Sequence, residues 1–205
     1  MIERPDGPPL LAAAGNDSTI EIWDLKAQAP HGTPLTGHNG WIWSLTALHG
    51  GPSGHPWLAS ASADHTIRLW DPVSGRPLGS PLIGHLDQVR AVTTATSDDG
   101  QTVLVSGGHD GTVRLWLPSN GLPITVIPIG IPIHALLRNK PDRYSRERTS
   151  GGATITIGLR TGILVLDLHR DLFRYAPLVT GAGRHPRRTP DAGMPGQWAP
   201  TSRSS

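Results

Sequence analysis

Short stretches of alternating apolar and polar residues fill most of the chain, separated by Gly, Pro, Asp and Asn. In HTIRLW (65–70), Ile67 and Leu69 fall on one side, while Thr66, Arg68 and Trp70 fall on the other. A period of two is the pattern of a β-strand with a distinct face toward a core. WIWSLTAL (41–48), LASAS (58–62), QVRAVTTA (88–95) and VLVSG (103–107) predict further strands of the same kind. No apolar run approaches the roughly 20 residues of a membrane-spanning helix. The apolar stretch at 10–15 is too short for a secretory signal.

The strands belong to a repeat. STIEIWDL (18–25), HTIRLWDP (65–72), GTVRLWLP (111–118) and TGILVLDL (161–168) align, placing Trp23, Trp70, Trp116 and Leu166 at successive spacings of 47, 46 and 50 residues. Gly37-His38 and Gly84-His85 are also 47 apart, and a third copy is reduced to Gly130-Ile131. Pro34-Leu35 and Pro81-Leu82 mark a fourth, outer strand, where proline is tolerated at an edge. Each unit therefore reads as four short antiparallel strands, copied in tandem.

A Gly-His pair, about thirty residues, then a strand ending in Trp-Asp, recurring in phase, resembles the WD-repeat family. The resemblance covers roughly residues 10–179. It implies an all-β fold: a β-propeller of about four blades of four-stranded antiparallel sheet, the first blade incomplete. Blades are expected at about 1–35, 36–82, 83–128 and 129–180, with a disordered Gly/Pro/Arg/Ser-rich tail at 181–205. Few residues precede Leu10, so the first blade is expected to lack its inner strand and its Gly-His segment.

The same resemblance implies a hydrogen-bonded set in each blade. In the second blade it would comprise His38, Ser62, Asp64 and Trp70. In the third, His85, Asp110 and Trp116 remain, with Gly108 at the serine position; in the first, Asp17 and Trp23 remain. Only the second blade is expected to hold the full set. The fourth has Arg160 and Leu166 instead and should rely on packing. Partner contacts in the family cluster where the inner strands begin and just before the Asp turn. Position by position, these are Trp41, Trp43, Gln88, Arg90, Asn16, Ala63 and His109. Aromatic and arginine side chains are the usual interface anchors.

Composition narrows the rest. There is no cysteine, which excludes disulfides and thiolate metal sites. The formal net charge is only +2, and 16 of the 18 basic residues are arginine, a bias suggestive of a high-GC, bacterial source. The ten histidines are scattered, without metal-ligand spacing, so no metal and no cofactor is expected. GGHDGT (107–112) lacks the lysine and following helix of a phosphate loop. Ser, His and Asp together invite comparison with a hydrolase triad, but their recurrence at the repeat period argues for architecture. The charged loop at 140–152 reads as a solvated surface. The tail arginines 184, 187, 188 and 203 lack stacking aromatics, which argues against nucleic acid.

The expected function is a scaffold or sensor module that binds protein partners without catalysis. It would be the C-terminal part of a larger cytoplasmic signalling protein, with no membrane association. Self-association is a further way to close the ring. The competing readings are an enzyme using the propeller channel for a small substrate, and a non-functional fragment of a broken gene.

Overall fold

The computed structural model describes residues 1–4, 6–49, 56–96, 101–139 and 153–168. Within them lie sixteen strands and no helix, in four antiparallel sheets. The first sheet is β1 (Ile2–Arg4), β2 (Gly7–Ala14), β3 (Ile20–Asp24) and β4 (Ala29–Pro30), in that order. The second is β5 (Ile42–Leu48), β6 (Trp57–Ser62), β7 (Thr66–Asp71) and β8 (Arg76–Pro77), with β9 (Leu82–Ile83) also pairing β7. The third is β10 (Val89–Thr96), β11 (Thr102–Gly108), β12 (Thr112–Trp116) and β13 (Pro123–Pro128). The fourth has three strands among the described residues, β14 (Ile133–Arg138), β15 (Ala153–Leu159) and β16 (Gly162–Leu168).

The repeat read from the sequence is thus the repeat of the structure. The four aligned segments form β3, β7, β12 and β16. The proline-marked outer strand is fragmentary: Leu82 lies in β9, and Leu35 makes a single bridge to Ile20. One expectation is corrected. The first sheet does have an inner strand, β1, a short piece whose Ile2 is fully buried and pairs with Leu10. The interval before Leu10 suffices because β1 needs only three residues and a tight turn. The tail at 181–205 and the loop at 140–152 lie outside the described residues.

Successive sheets stack face to face around three apolar layers. Ile2, Leu10, Ile20 and Ile22 meet Ile42, Leu58 and Trp70 between the first two sheets. Ala59, Ala61, Ile67 and Leu69 meet Val89, Val92, Leu104 and Trp116 between the second and third. Val103, Val105, Val113 and Leu115 meet Ile133, Ile155 and Ile157 between the third and fourth. Alternation along β7 explains this directly: Ile67 and Leu69 point into the layer ahead, and Trp70 points into the layer behind. Among the described residues the sheets form an open array. The outward face of the fourth sheet leaves Leu137, Ile163 and Val165 exposed.

The inner strands of the second, third and fourth sheets carry a bulge at the same place. It falls between Ile42 and Ser44, Val89 and Ala91, and Ile133 and Ala135. The residue set out of the ladder is Trp43, Arg90 and His134 in turn. A bulge re-aims one side chain while the residues on either side keep their place in the core. Ile42, Val89 and Ile133 are all buried, whereas their bulged neighbours are not.

Candidate functional site: two internal hydrogen-bond networks and an aromatic, cationic edge

Two sets of polar residues need separating. The first lies inside the sheets. Each Asp turn has one form: Asp17, Asp64 and Asp110 accept the amide of Thr19, Thr66 and Thr112 at 3.1, 3.0 and 3.0 Å. The residue between is left-handed in each case: Ser18, His65 and Gly111, with φ of 65°, 69° and 73°. In the second sheet Asp64 Oδ2 then meets His38 Nδ1 at 2.7 Å and accepts from the Asn39 amide at 3.0 Å.

The hydroxyl that completes the network is Ser60, not the expected Ser62. Ser60 Oγ lies 2.7 Å from His38 Nε2 and accepts from Trp70 Nε1 at 2.8 Å. Ser62 instead donates to the Gly40 carbonyl and accepts from the Asp64 amide, at 3.0 and 3.1 Å. Ser60 and Ser62 lie on the same face of β6, so alternation could not choose between them. The repeat could have done so, because Ser60 and Ser106 each stand ten residues before the network Trp.

The third sheet therefore also holds a full network. His85 Nδ1 lies 2.9 Å from Asp110 Oδ2, His85 Nε2 lies 2.7 Å from Ser106 Oγ, and Trp116 Nε1 donates to Ser106 at 2.9 Å. Gly108 is no defect: an added Cβ would fall 2.5 Å from His85 Nδ1 and 2.6 Å from Asp110 Oδ1. The glycine of the Gly-His pair has a packing reason as well. At Gly84 a Cβ would come within 2.7 Å of Arg114 Nη1 and 3.1 Å of Trp116 Cη2.

In the first sheet Asp17 is exposed and bonded only to Thr19, and Trp23 Nε1 donates to Glu21 at 3.1 Å. The fourth sheet has Thr156 where the serine would stand, bonded to Asn139 at 2.9 Å.

A neutral imidazole satisfies the whole chain of bonds. Its Nδ1–H donates to the carboxylate, its Nε2 accepts from the serine, and the serine accepts from the indole. Burial raises the Asp64 carboxyl, but bonds from His38, Thr66 and the Asn39 amide outweigh it and hold the group well below the usual carboxylate range. At Asp110 burial is likewise outweighed by bonds from Leu86 and Thr112 and by His85. Burial lowers the His85 imidazole from its ordinary value, against the pull of Asp110.

Serine, histidine and aspartate here have triad connectivity, but Ser60 and Ser106 are completely buried and each is also held by an indole. No substrate carbonyl can reach either oxygen. Among the described residues, no group of three or more His, Asp or Glu could hold a metal ion.

The second set lies on the edge where the inner strands begin. Trp41 is half exposed, at 52%, and its ring packs edge-on against Trp43, with centroids 5.3 Å apart. The Arg90 guanidinium carbon sits 3.6 Å from the Trp43 ring centroid. His109 packs against His134 at 5.0 Å. Burial, then Arg90 and His134, lowers the His109 imidazole, with Asp87 opposing.

The peptide backbone holds these side chains in equivalent places. The Ala63 amide donates to the Trp41 carbonyl at 2.8 Å, and the His109 amide to the Gln88 carbonyl at 2.9 Å. The Ile42 amide donates to Gly15 at 2.9 Å, setting the turn that carries the exposed Asn16 beside β5. Trp41, Trp43, Arg90 and His109 thus form a connected surface, while Asn16, Ala63 and Gln88 border it. One residue at this edge stood outside the expected contact set: His134. It could have been found by counting from the buried isoleucine or valine beside each bulge.

Among known proteins, residues 29–71 and 75–116 match the family model described as WD domain, G-beta repeat. No curated protein matches the chain in sequence. In structure it is similar to the WD40 beta propeller domain of Doa1, with 24% identity and a TM-score of 0.56, over 77% of this chain and 46% of that one. It is also similar to the computationally designed Ika4 protein, with 19% identity and a TM-score of 0.58, over 78% of this chain and 85% of that one. The chain thus spans less than half the length of the Doa1 propeller structure. The fold is that of a WD40 β-propeller, open among the described residues, and two stretches of the chain match the WD40 repeat. Such propellers are, in general, scaffolds for protein interaction.

Proposed function

We propose that this chain is a non-catalytic protein-interaction module whose contact surface is the edge formed by Trp41, Trp43, Arg90 and His109. The observation that carries this reading is the half-exposed Trp41, just before β5, packed on a Trp43–Arg90 stack that joins β5 and β10. Tryptophan and arginine offer large contact area and directional donors, and interface energy concentrates on such anchors. The buried Ser–His–Asp sets support the same reading, because the residues best suited to catalysis are committed to holding sheets together.

A place in a cytoplasmic signalling protein, as one part of a longer chain, is the setting this module suits. The test is capture of binding partners by the immobilised chain. Replacing Trp41 by Ala together with Arg90 by Ala should remove the captured protein while the circular dichroism spectrum is unchanged. Undiminished capture by the folded double variant would reject this surface.

A further inference from the structure

We propose that the edge recognises a carboxylate-bearing, acidic polypeptide segment, and that its binding takes up a proton at His109, which packs against His134. This rests on the interaction surface proposed above and names the chemistry of what it binds.

The argument starts from unmet donors. Arg90 has five N–H groups, yet among the described residues it forms no ion pair, and its close contact is the face of Trp43 at 3.6 Å. The stack fixes the guanidinium plane and leaves its donors available. Trp43 Nε1 and His109 Nε2 are shut off from solvent and have no hydrogen-bond partner. Arginine, indole N–H and imidazole thus lie together at one edge, and protein acceptors satisfy none of these three groups; the two ring nitrogens meet a ligand once their rings shift to admit it. An indole N–H and a guanidinium only donate, so the missing partner is an acceptor. The guanidinium favours an anionic one with two oxygens, which a carboxylate supplies in the matching geometry. The exposed Trp41 alongside gives an apolar surface for the rest of the segment.

The histidines supply the regulation. His109 lies on the β11–β12 turn and His134 on β14, with ring centroids 5.0 Å apart. The charged groups facing His109 are Arg90 on β10 and Asp87 just before it, with His134 opposite. In the free protein the half-buried ring, near a fixed positive charge, resists protonation. An incoming carboxylate reverses the local field, so the imidazolium becomes favourable and Nε2 gains the role of donor. Binding and protonation are then linked, and each strengthens the other.

The test uses the full chain and a capped hexaglutamate peptide, with capped hexalysine as control. Calorimetric titration is run near neutral pH in two buffers of different ionisation enthalpy. The expected result is saturable binding of hexaglutamate but not hexalysine. Proton uptake should be measurable, and affinity should rise from pH 8 to pH 6 by up to about tenfold per pH unit, the limit set by the uptake of a single proton on binding. Arg90→Gln should abolish binding at both pH values. His109→Gln should retain binding at pH 8 and lose both the uptake and the pH dependence. Arg90→Lys, which keeps the charge but not the planar fork, should bind weakly, and its melting temperature checks that the fold is intact.

Equal binding of hexalysine, no binding of hexaglutamate, or a pH dependence that survives His109→Gln would overturn the inference. If Trp41→Ala abolishes capture of a partner whose binding responds neither to pH nor to Arg90→Gln, the interaction surface stands and the acidic-ligand inference falls.

Discussion

At the scale of single residues, the buried networks set the order of mutational cost. Ser60→Ala leaves the Trp70 indole N–H and the His38 Nε2 without a partner inside the protein. Each such orphan costs about 1–3 kcal/mol. Ser62→Ala loses bonds only at the turn, so urea unfolding should show the larger loss for Ser60→Ala. Asp64→Ala should likewise lower the melting temperature more than Asp17→Ala, because Asp64 joins a histidine, a threonine and two backbone amides whereas Asp17 is exposed.

The same networks predict acid lability. The His85 imidazole is held below its ordinary value of 6.5, so the unfolded chain takes its proton first. Its contribution to stability is complete above that value and drains away as pH falls. The Asp64 and Asp110 carboxyls are held below 3.8, so their contribution drains away only under more acidic conditions. Melting temperature should therefore fall in two stages, the first beginning near pH 6.5. His85→Gln should flatten the first stage and leave the second.

At the scale of strands and sheets, the inner-strand bulge is the decisive device. Without it, each residue after Ile42, Val89 or Ile133 would move to the opposite face, and the apolar layers would lose their register. The bulge keeps those residues buried and turns Trp43, Arg90 and His134 toward the edge. Sheets approach closely where a side chain is absent. At Gly107 a Cβ would lie 2.5 Å from Ile133 Cγ2, across the layer between the third and fourth sheets. Gly107→Ala should destabilise by about 1–3 kcal/mol through overpacking. Adding Ile133→Ala should cost less than the sum of the two single changes, which a double-mutant cycle in urea would measure.

At the scale of the whole molecule, the open array leaves apolar surface at its end. Leu137 faces Val165 across Thr156, and Ile163 lies on the same face, with exposures of 65%, 57% and 76%. Contiguous apolar surface of this kind marks a contact site or drives association. The isolated chain is therefore expected to self-associate in sedimentation experiments. Ile163→Ser with Val165→Thr should shift it toward the monomer, since both changes lie on the outward face and leave the inner layer of Ile155 and Ile157 intact. A purely monomeric parent chain at tens of micromolar would contradict this expectation.

The sequence by itself determined the strands, their grouping into units and the face each presents. Alternation at period two and recurrence near 47 residues are local properties, and burial of one face follows from them wherever the chain goes. It also placed Trp41, Trp43, Arg90 and His109 in one region, because tandem copies put equivalent positions side by side. It could not decide between Ser60 and Ser62, which share a face and differ only in how far an indole reaches. Nor did it reveal β1, too short to carry a periodic signal, or the bulges, which leave no mark on local alternation. Those features, and the meeting of Arg90 with Trp43 and of His109 with His134, depend on how neighbouring sheets settle against one another. Packing across an apolar layer fixes them, and no single strand contains that information.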